Sequence, residues 1–219
     1  MLRGERLTDC SGFSDSDVEK ARTLTTDWMS QENQEPSCTA CCLFNIMYEL
    51  SERKIAPLDV KPIYKTVCKT LGYNKILGVG WDMVRPGMSK LLRKSKNKLW
   101  TPSVRENDRS LPVKLICDII RRDNCSYPLM SLGPEYLRDE YDVELNGNPF
   151  HWFSHAVVVL QCSDGDCLMF DPFARQIMKD PIRIVSKERL NRYWYSTSPP
   201  RALAWFERKA GVLEEYLEG

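Results

Sequence analysis

Apolar residues recur at helical spacing through most of the first half of the chain. The segment after Ser14 opens with Ser and Asp side chains that suit a helix N-terminus. The segment after Ser37 repeats apolar residues three and four positions apart, as one face of a helix does. Pro86 and Gly87 interrupt the fourth segment. Helices are predicted for residues 14–29, 38–50, 57–72, 80–97 and 111–124.

The pattern changes after Asn124 to short runs rich in β-branched and aromatic residues, separated by turn residues. The tetrapeptide from Ser163 to Asp166 contains Asp-Gly and predicts the turn of a hairpin. Strands are predicted for residues 126–132, 154–161, 166–173, 182–186 and 201–207.

Helices gathered before strands favour an α+β fold, with a helical N-terminal half packed against an antiparallel β-sheet in the C-terminal half. The length of 219 residues suits one domain, and no internal repeat or long linker divides it. We therefore expect a single domain over residues 1–219, in which residues 1–30 form an N-terminal helical extension.

Charge and hydropathy narrow the classes of partner. The chain has 31 Lys and Arg residues against 30 Asp and Glu, so no charge excess favours nucleic acid or an anionic membrane. No apolar run is long enough to span a bilayer, and the N-terminus lacks the apolar centre of a signal peptide. We expect a cytoplasmic protein that binds neither nucleic acid nor membranes.

Nine cysteines cannot all pair within one chain, which favours a reducing compartment. Cys38 and Cys41 form one closely spaced pair, and Cys162 and Cys167 form another. The two pairs lie far apart in sequence, so we predict neither a metal nor an organic cofactor.

A cysteine stands where the second helix is predicted to begin. Ser37 is a good N-cap residue, which would place Cys38 at the first helical position. Unpaired N–H groups and the helix dipole lower a thiol pKa there and favour the nucleophilic thiolate. The alternative register makes Thr39 the cap and places Cys41 in the first turn. A third interpretation is that these thiols pack as small buried side chains.

One histidine and one aspartate are predicted to meet on neighbouring strands. His155 begins the strand "HAVVVLQ", and Asp171 follows the strand "DCLMF" after one hairpin. The start of one strand and the end of its antiparallel neighbour are adjacent in space. A carboxylate there would orient the imidazole, whose other nitrogen could take a thiol proton.

This order of motifs resembles the papain-like cysteine peptidase superfamily, and within it the branch of bacteriocin-leader (double-glycine) peptidases. The resemblance rests on a Gln before a helix-starting Cys, then "HAVVV", a hairpin and "DP". It implies a papain-like fold, a protein or peptide substrate and no cofactor. It also implies Cys38 as nucleophile, His155 and Asp171 as its partners, and Gln34 at the oxyanion, with Gln31 as the alternative.

Several alternatives stay open at this point. A papain-type register makes Cys41 the nucleophile, although Ser37 is the better cap and favours Cys38. Transglutaminase-like and arylamine acetyltransferase-like proteins use Cys, His and Asp in the same order for acyl transfer. Thr39 stands where the resembled family usually has Gly. This difference supports a third alternative, a catalytically inactive binding module.

Overall fold

This computed structural model describes residues 12–30, 37–51, 60–75, 78–141, 154–174, 179–197 and 201–210. Within these ranges the chain forms seven α-helices and six β-strands. The longest helix has 13 residues, and none of the described helices is long and apolar enough to cross a membrane. The helices are α1 (Asp15–Leu24), α2 (Cys38–Leu50), α3 (Val60–Thr70), α4 (Val84–Lys94), α5 (Lys114–Ile120), α6 (Pro134–Tyr141) and α7 (Lys187–Tyr195). The strands are β1 (Trp100–Arg105), β2 (Leu129–Leu132), β3 (His155–Cys162), β4 (Asp166–Phe170), β5 (Ile182–Ser186) and β6 (Leu203–Arg208).

The six strands form one antiparallel sheet in the order β1-β6-β2-β3-β4-β5. The predicted hairpin between β3 and β4 is confirmed, because the Ser163 N–H donates to the Asp166 carbonyl at 3.0 Å. The strand order places β3 inside the sheet, between β2 and β4. Only the first residues of β3 extend past the end of β4.

Helices cover both faces of the sheet. Helices α1 to α4 pack on the face that carries Leu168. Helices α5 to α7 pack on the face that carries Met169. These neighbours on β4 point to opposite sides, as successive strand residues do, and both are completely buried. The sheet is thus the middle of three layers.

The α+β class and the antiparallel sheet are confirmed, but the predicted division into a helical and a strand half is incomplete. Strand β1 lies within the first half, whereas α6 and α7 lie within the second. Residues Leu190, Tyr193 and Trp194 give α7 a buried helical face against the sheet. Aromatic residues favour strands by propensity, so tertiary packing decided this element. Helix α1, within the predicted extension, packs on the opposite face of the sheet, in one core with α2, α3 and α4.

A β-bulge interrupts the pairing of β3 with β4. Cys162 lies opposite Cys167, whereas Val159 lies opposite Met169, so one extra residue is accommodated between Val159 and Gln161. The side-chain alternation of β3 shifts by one position there. In a regular strand, residues seven positions apart face opposite sides of the sheet. Because of the bulge, His155 and Cys162 lie on the same face.

Candidate active site

Helix α2 begins at Cys38, as predicted, but not for the predicted reason. Ser37 occupies the N-cap position, yet its side chain makes no capping hydrogen bond. The Ser37 hydroxyl instead lies 3.8 Å from the Cys41 sulfur. The first helical bond runs from the Cys41 N–H to the Ser37 carbonyl at 2.9 Å. The Ser37 side chain therefore does not bind the N–H groups of the first turn, and the Thr39 N–H instead donates to the Cys38 sulfur.

Strand β3 holds the start of α2 through the backbone of Ala156. The Cys42 thiol donates to the Ala156 carbonyl at 3.4 Å, and the Ala156 N–H donates to the Cys38 sulfur. Both backbone groups point towards the β4 side of β3, where β4 has already ended at Phe170. The end of one strand thus creates the place where the helix N-terminus attaches.

The imidazole of His155 is fixed on three sides. Its Nε2 lies 2.7 Å from Asp171 Oδ1. The ring of Tyr136 stacks nearly parallel to it, with centroids 5.7 Å apart, and Phe173 meets it edge-on at 6.0 Å. Since Nε2 is directed at the carboxylate, Nδ1 is the ring nitrogen left for the hydrogen bond with Cys38.

The Asp171 carboxylate is completely buried, and its two oxygens accept hydrogen bonds from four donors. Oδ1 accepts from His155 and from the Phe173 N–H at 2.8 Å. Oδ2 accepts from the hydroxyls of Tyr136 at 2.7 Å and Tyr141 at 2.5 Å. A buried carboxylate is stable only when it is paired in this way. Arg189 and the Glu140 beside Tyr141 pair at 2.9 Å and hold α6 against α7.

The charges of the three groups reinforce one another. Burial alone would lower the pKa of His155, but the Asp171 carboxylate and the Cys38 sulfur raise it to about 10. Burial likewise opposes ionisation of Cys38, yet His155 and the N–H groups of Ala156 and Thr39 lower its pKa. Asp171 has a lowered pKa despite its burial, because His155 and the tyrosine hydroxyls stabilise the carboxylate. At neutral pH these directions favour a Cys38 thiolate paired with a His155 imidazolium.

The neighbouring thiols behave differently. Burial raises the pKa of Cys41 to about 12, and its sulfur contacts the Tyr64 hydroxyl at 3.3 Å. Burial also raises the pKa of Cys42 far above its ordinary value. Cys38 keeps 8 % of its surface exposed, whereas Cys41 and Cys42 have none. Of the two predicted nucleophile positions, the geometry brings only Cys38 into contact with His155.

Two predicted site residues cannot be placed. Gln34 and Gln31 lie outside the described residues, so the glutamine at the oxyanion stays a prediction. Sequence reasoning also missed Tyr136 and Tyr141, which α6 brings to Asp171 from thirty or more positions away in the chain. Neither tyrosine stands in a motif, and a buried hydroxyl cannot be told from a packed aromatic ring by sequence pattern.

No group of metal ligands coincides with this site in the described part of the chain. The one group found there consists of Cys117, Cys162 and Cys167. Cys162 ends the strand that His155 begins, and a strand of eight residues spans about 23 Å. The thiol, imidazole and carboxylate can perform nucleophilic and proton-transfer chemistry by themselves.

Comparison with known proteins does not assign the chain to a family. No protein-family model matches it, and no curated protein matches it. Its chemistry therefore has to be inferred from the arrangement of Cys38, His155 and Asp171.

Proposed function

We propose that this protein is a cysteine-dependent hydrolase with a papain-like fold that cleaves a peptide or another amide bond. Cys38 is the nucleophile, His155 the acid and base, and Asp171 the group that orients His155. The observation that carries the proposal is the buried chain of contacts from thiol to imidazole to carboxylate, with the Asp171–His155 hydrogen bond of 2.7 Å. The start of a helix facing the first residue of an antiparallel strand supports the papain-like class.

The reaction begins with the resting ion pair. The Cys38 thiolate attacks the carbonyl carbon of the substrate, and a tetrahedral oxyanion forms as the C–S bond is made. His155 then gives its Nδ1 proton to the leaving amine, and the C–N bond breaks. Asp171 keeps the Nε2–H directed at itself throughout, so that Nδ1 always faces the reacting atoms.

The acyl-enzyme is released by water. Neutral His155 takes a proton from the water as its oxygen attacks the thioester carbon, and Cys38 leaves as the thiolate. This step restores the ion pair, so one His155 serves as acid in the first half and base in the second. No external electron donor or acceptor is needed.

The start of α2 is suited to hold the oxyanion. The N–H groups of a first helical turn have no partners within the helix and carry partial positive charge. The Cys38 N–H is therefore one proposed donor, and the Gln34 amide is the second. Loss of one such donor typically lowers the rate by about 10² to 10³.

Substrate profiling with paired cysteine variants tests the proposal. Peptides from a cell lysate would be incubated with wild type, Cys38→Ala, Cys41→Ala or Asp171→Asn, and new termini would be identified by mass spectrometry. Cys38→Ala should produce none, because no other group can form the acyl intermediate. Cys41→Ala is the matched control, three residues along the same helix, and should keep its cleavage products. Asp171→Asn should fold but cleave at least about 10²-fold more slowly, since the amide favours the wrong tautomer.

The results separate the related chemistries. Transfer of the acyl group to an added primary amine, in preference to water, would identify an acyltransferase with the same three residues. Full activity of Cys38→Ala would refute the nucleophile. Absence of turnover, together with alkylation of Cys38 no faster than free cysteine, would identify an inactive binding module.

A further inference from the structure

A second cluster of thiols lies at the opposite end of β3 from His155. Cys162, at the end of β3, faces Cys167 on β4, with their sulfurs 3.4 Å apart. Cys117 of α5 reaches the same point from the helix layer above the sheet. All three sulfurs lie within 4.8 Å of one another. Cysteines distributed over three elements do not converge in this way through local sequence alone.

The spacing fits three ligands of one metal ion. Zn–S bonds of about 2.3 Å place two sulfurs about 3.8 Å apart in tetrahedral geometry and about 4.0 Å apart in trigonal geometry. The observed separations, 3.4 Å for one pair and no more than 4.8 Å for any pair, bracket these values. Each sulfur would have to move by less than about 1 Å to reach an ion at the centre.

The surroundings suit thiolate ligands. Cys117 and Cys167 are buried, whereas Cys162 is half-buried and leaves one side open for entry of an ion. The Lys187 ammonium donates to the Asp164 carbonyl at 3.1 Å and so lies beside this turn. It also lies close enough to Cys117 and Cys162 to interact electrostatically with both sulfurs. Three thiolates and Zn²⁺ carry one net negative charge, which one ammonium balances.

We infer that Cys117, Cys162 and Cys167 form a metal site that binds one thiophilic d¹⁰ ion, Zn²⁺ or Cu⁺, through three thiolates. These ions prefer sulfur ligands, and Cu⁺ accepts trigonal coordination, whereas Zn²⁺ would take a water as its fourth ligand. The ion would join α5 to the β3–β4 hairpin. This role is structural and does not depend on the proposed hydrolase activity.

Metal binding should be coupled to proton release. A thiol binds a metal ion as the thiolate, so an incoming ion displaces thiol protons. Apparent affinity should therefore increase as pH rises from 6 to 8, because less work is then needed to form the thiolates.

Metal content of paired variants tests the site. All proteins would carry Cys38→Ala, so that the reactive thiol cannot hold an ion with His155. The parent, Cys162→Ser and the triple variant of Cys117, Cys162 and Cys167 to Ser would be loaded anaerobically with Zn²⁺ or Cu⁺ in reducing buffer and desalted. Mass spectrometric metal analysis should find about one equivalent in the parent and less than about a tenth in both cluster variants. The ion that is retained distinguishes zinc from copper.

Cys125→Ser is the matched control, since Cys125 packs against the same core but lies outside the cluster. It should keep the metal content of the parent. Cys162 is partly exposed at a strand end, so its Ser variant should fold, as circular dichroism would check, even if the triple variant does not. Metal should also raise the Tm of the parent by about 5 °C or more but not that of Cys162→Ser.

A second readout reports the ligands directly. Co²⁺ loaded in place of Zn²⁺ should give the near-ultraviolet thiolate charge-transfer band in the parent and in Cys125→Ser, and this band should weaken or vanish in Cys162→Ser. The inference is overturned if the parent retains neither Zn²⁺ nor Cu⁺, or if Cys162→Ser binds as much as the parent. A Cys162–Cys167 disulfide that forms even in the presence of both ions would overturn it as well.

Discussion

The residues around Cys38 and His155 shift the pKa values of both groups in the directions that favour an ion pair. The thiol pKa is lowered by the imidazole and by two backbone N–H groups, while the imidazole pKa is raised by Asp171 and by the sulfur. Burial opposes both ionisations, so an ion pair forms here only if thiol and imidazole ionise together. In the described part of the chain, Cys41 and Cys42 contact no imidazole, and burial raises the pKa of each.

Alkylation of Cys38 should therefore begin at a lower pH than alkylation of free cysteine. The thiol is unreactive below its pKa, so the rate of reaction with iodoacetamide should rise with pH and reach half its maximum below about 8.5. His155→Ala removes the imidazolium and should move this midpoint upward. Mass spectrometry of the Cys38 peptide measures the rate, and a midpoint at or above that of free cysteine would contradict the ion pair.

Turnover should fall again at high pH, unlike alkylation. Only the imidazolium can protonate the leaving amine, and this form disappears as pH rises through the His155 pKa of about 10. Alkylation needs the thiolate alone and should stay fast there. Rate measurements on any cleaved peptide up to pH 11 check this, and a basic limb near the ordinary histidine pKa of about 6.5 would show that Asp171 does not act on His155.

The tyrosines that bind Asp171 should contribute to stability as a coupled pair. Tyr136→Phe and Tyr141→Phe each remove one of the two hydroxyls that donate to Oδ2. Each should lower the free energy of unfolding by about 1 to 3 kcal/mol. The double variant should lose at least about 0.5 kcal/mol more than the sum, because Oδ2 then loses both donors. Urea unfolding at pH 7 measures all three, and strict additivity would indicate another donor to this oxygen.

At the scale of elements, α1 and α2 begin in different ways. The Ser14 side chain caps α1, and the Ser14 N–H donates a hydrogen bond to the Asp17 carboxylate. Ser37 holds the same position at α2 without a side-chain cap. A capping Ser37 side chain would bind the N–H groups that face the Cys38 sulfur, so a helix start that Ser37 does not cap suits a nucleophile.

Alanine substitutions at the two caps should differ accordingly. Ser14→Ala should lower the free energy of unfolding by about 1 kcal/mol, the usual cost of a lost N-cap. Ser37→Ala should change it by less than about 0.5 kcal/mol, since no backbone bond is lost. Chemical unfolding of both variants under the same conditions measures the difference. An equal loss in both would show that Ser37 caps α2 in solution.

The bulge in β3 places His155 of the proposed active site and Cys162 of the proposed metal site on one face of the sheet. Asp171 directly follows β4, four residues after Cys167, and the two share a face by simple alternation. His155 and Cys162 are seven apart on β3 and would face opposite sides in a regular strand. The extra residue between Val159 and Gln161 restores the match. No Gly or other sequence signal marks this position.

At the scale of the whole molecule, the three layers predict which core residues contribute to the free energy of unfolding. Leu168 and Met169 are neighbours on β4, both without solvent contact, and each points to a different helix layer. Leu168→Ala and Met169→Ala should each lower the free energy of unfolding by about 2 to 5 kcal/mol, since either leaves a cavity. A sheet covered on one face only would make one of them nearly neutral. Urea unfolding distinguishes the two architectures.

The sequence determined those features that depend on local patterns. Helical spacing located α1 to α5, alternation and β-branched runs located five strands, and Asp-Gly marked the β3–β4 turn, because backbone conformation and side-chain periodicity are set by near neighbours. Cys38 at a helix start and the meeting of His155 with Asp171 followed from the same patterns and one hairpin.

Tertiary structure decided what depends on distant parts of the chain. The second helix layer, the tyrosines on Asp171 and the approach of Cys117 to the hairpin cysteines each join residues that no short window contains. Tertiary structure also decided which of Cys38 and Cys41 contacts His155. Both thiols suited a helix start, but only the end of β4 beside Ala156 fixed which sulfur meets the imidazole. The period of a helix or strand indicates which of its faces is apolar. How these faces pack against one another depends on the whole core.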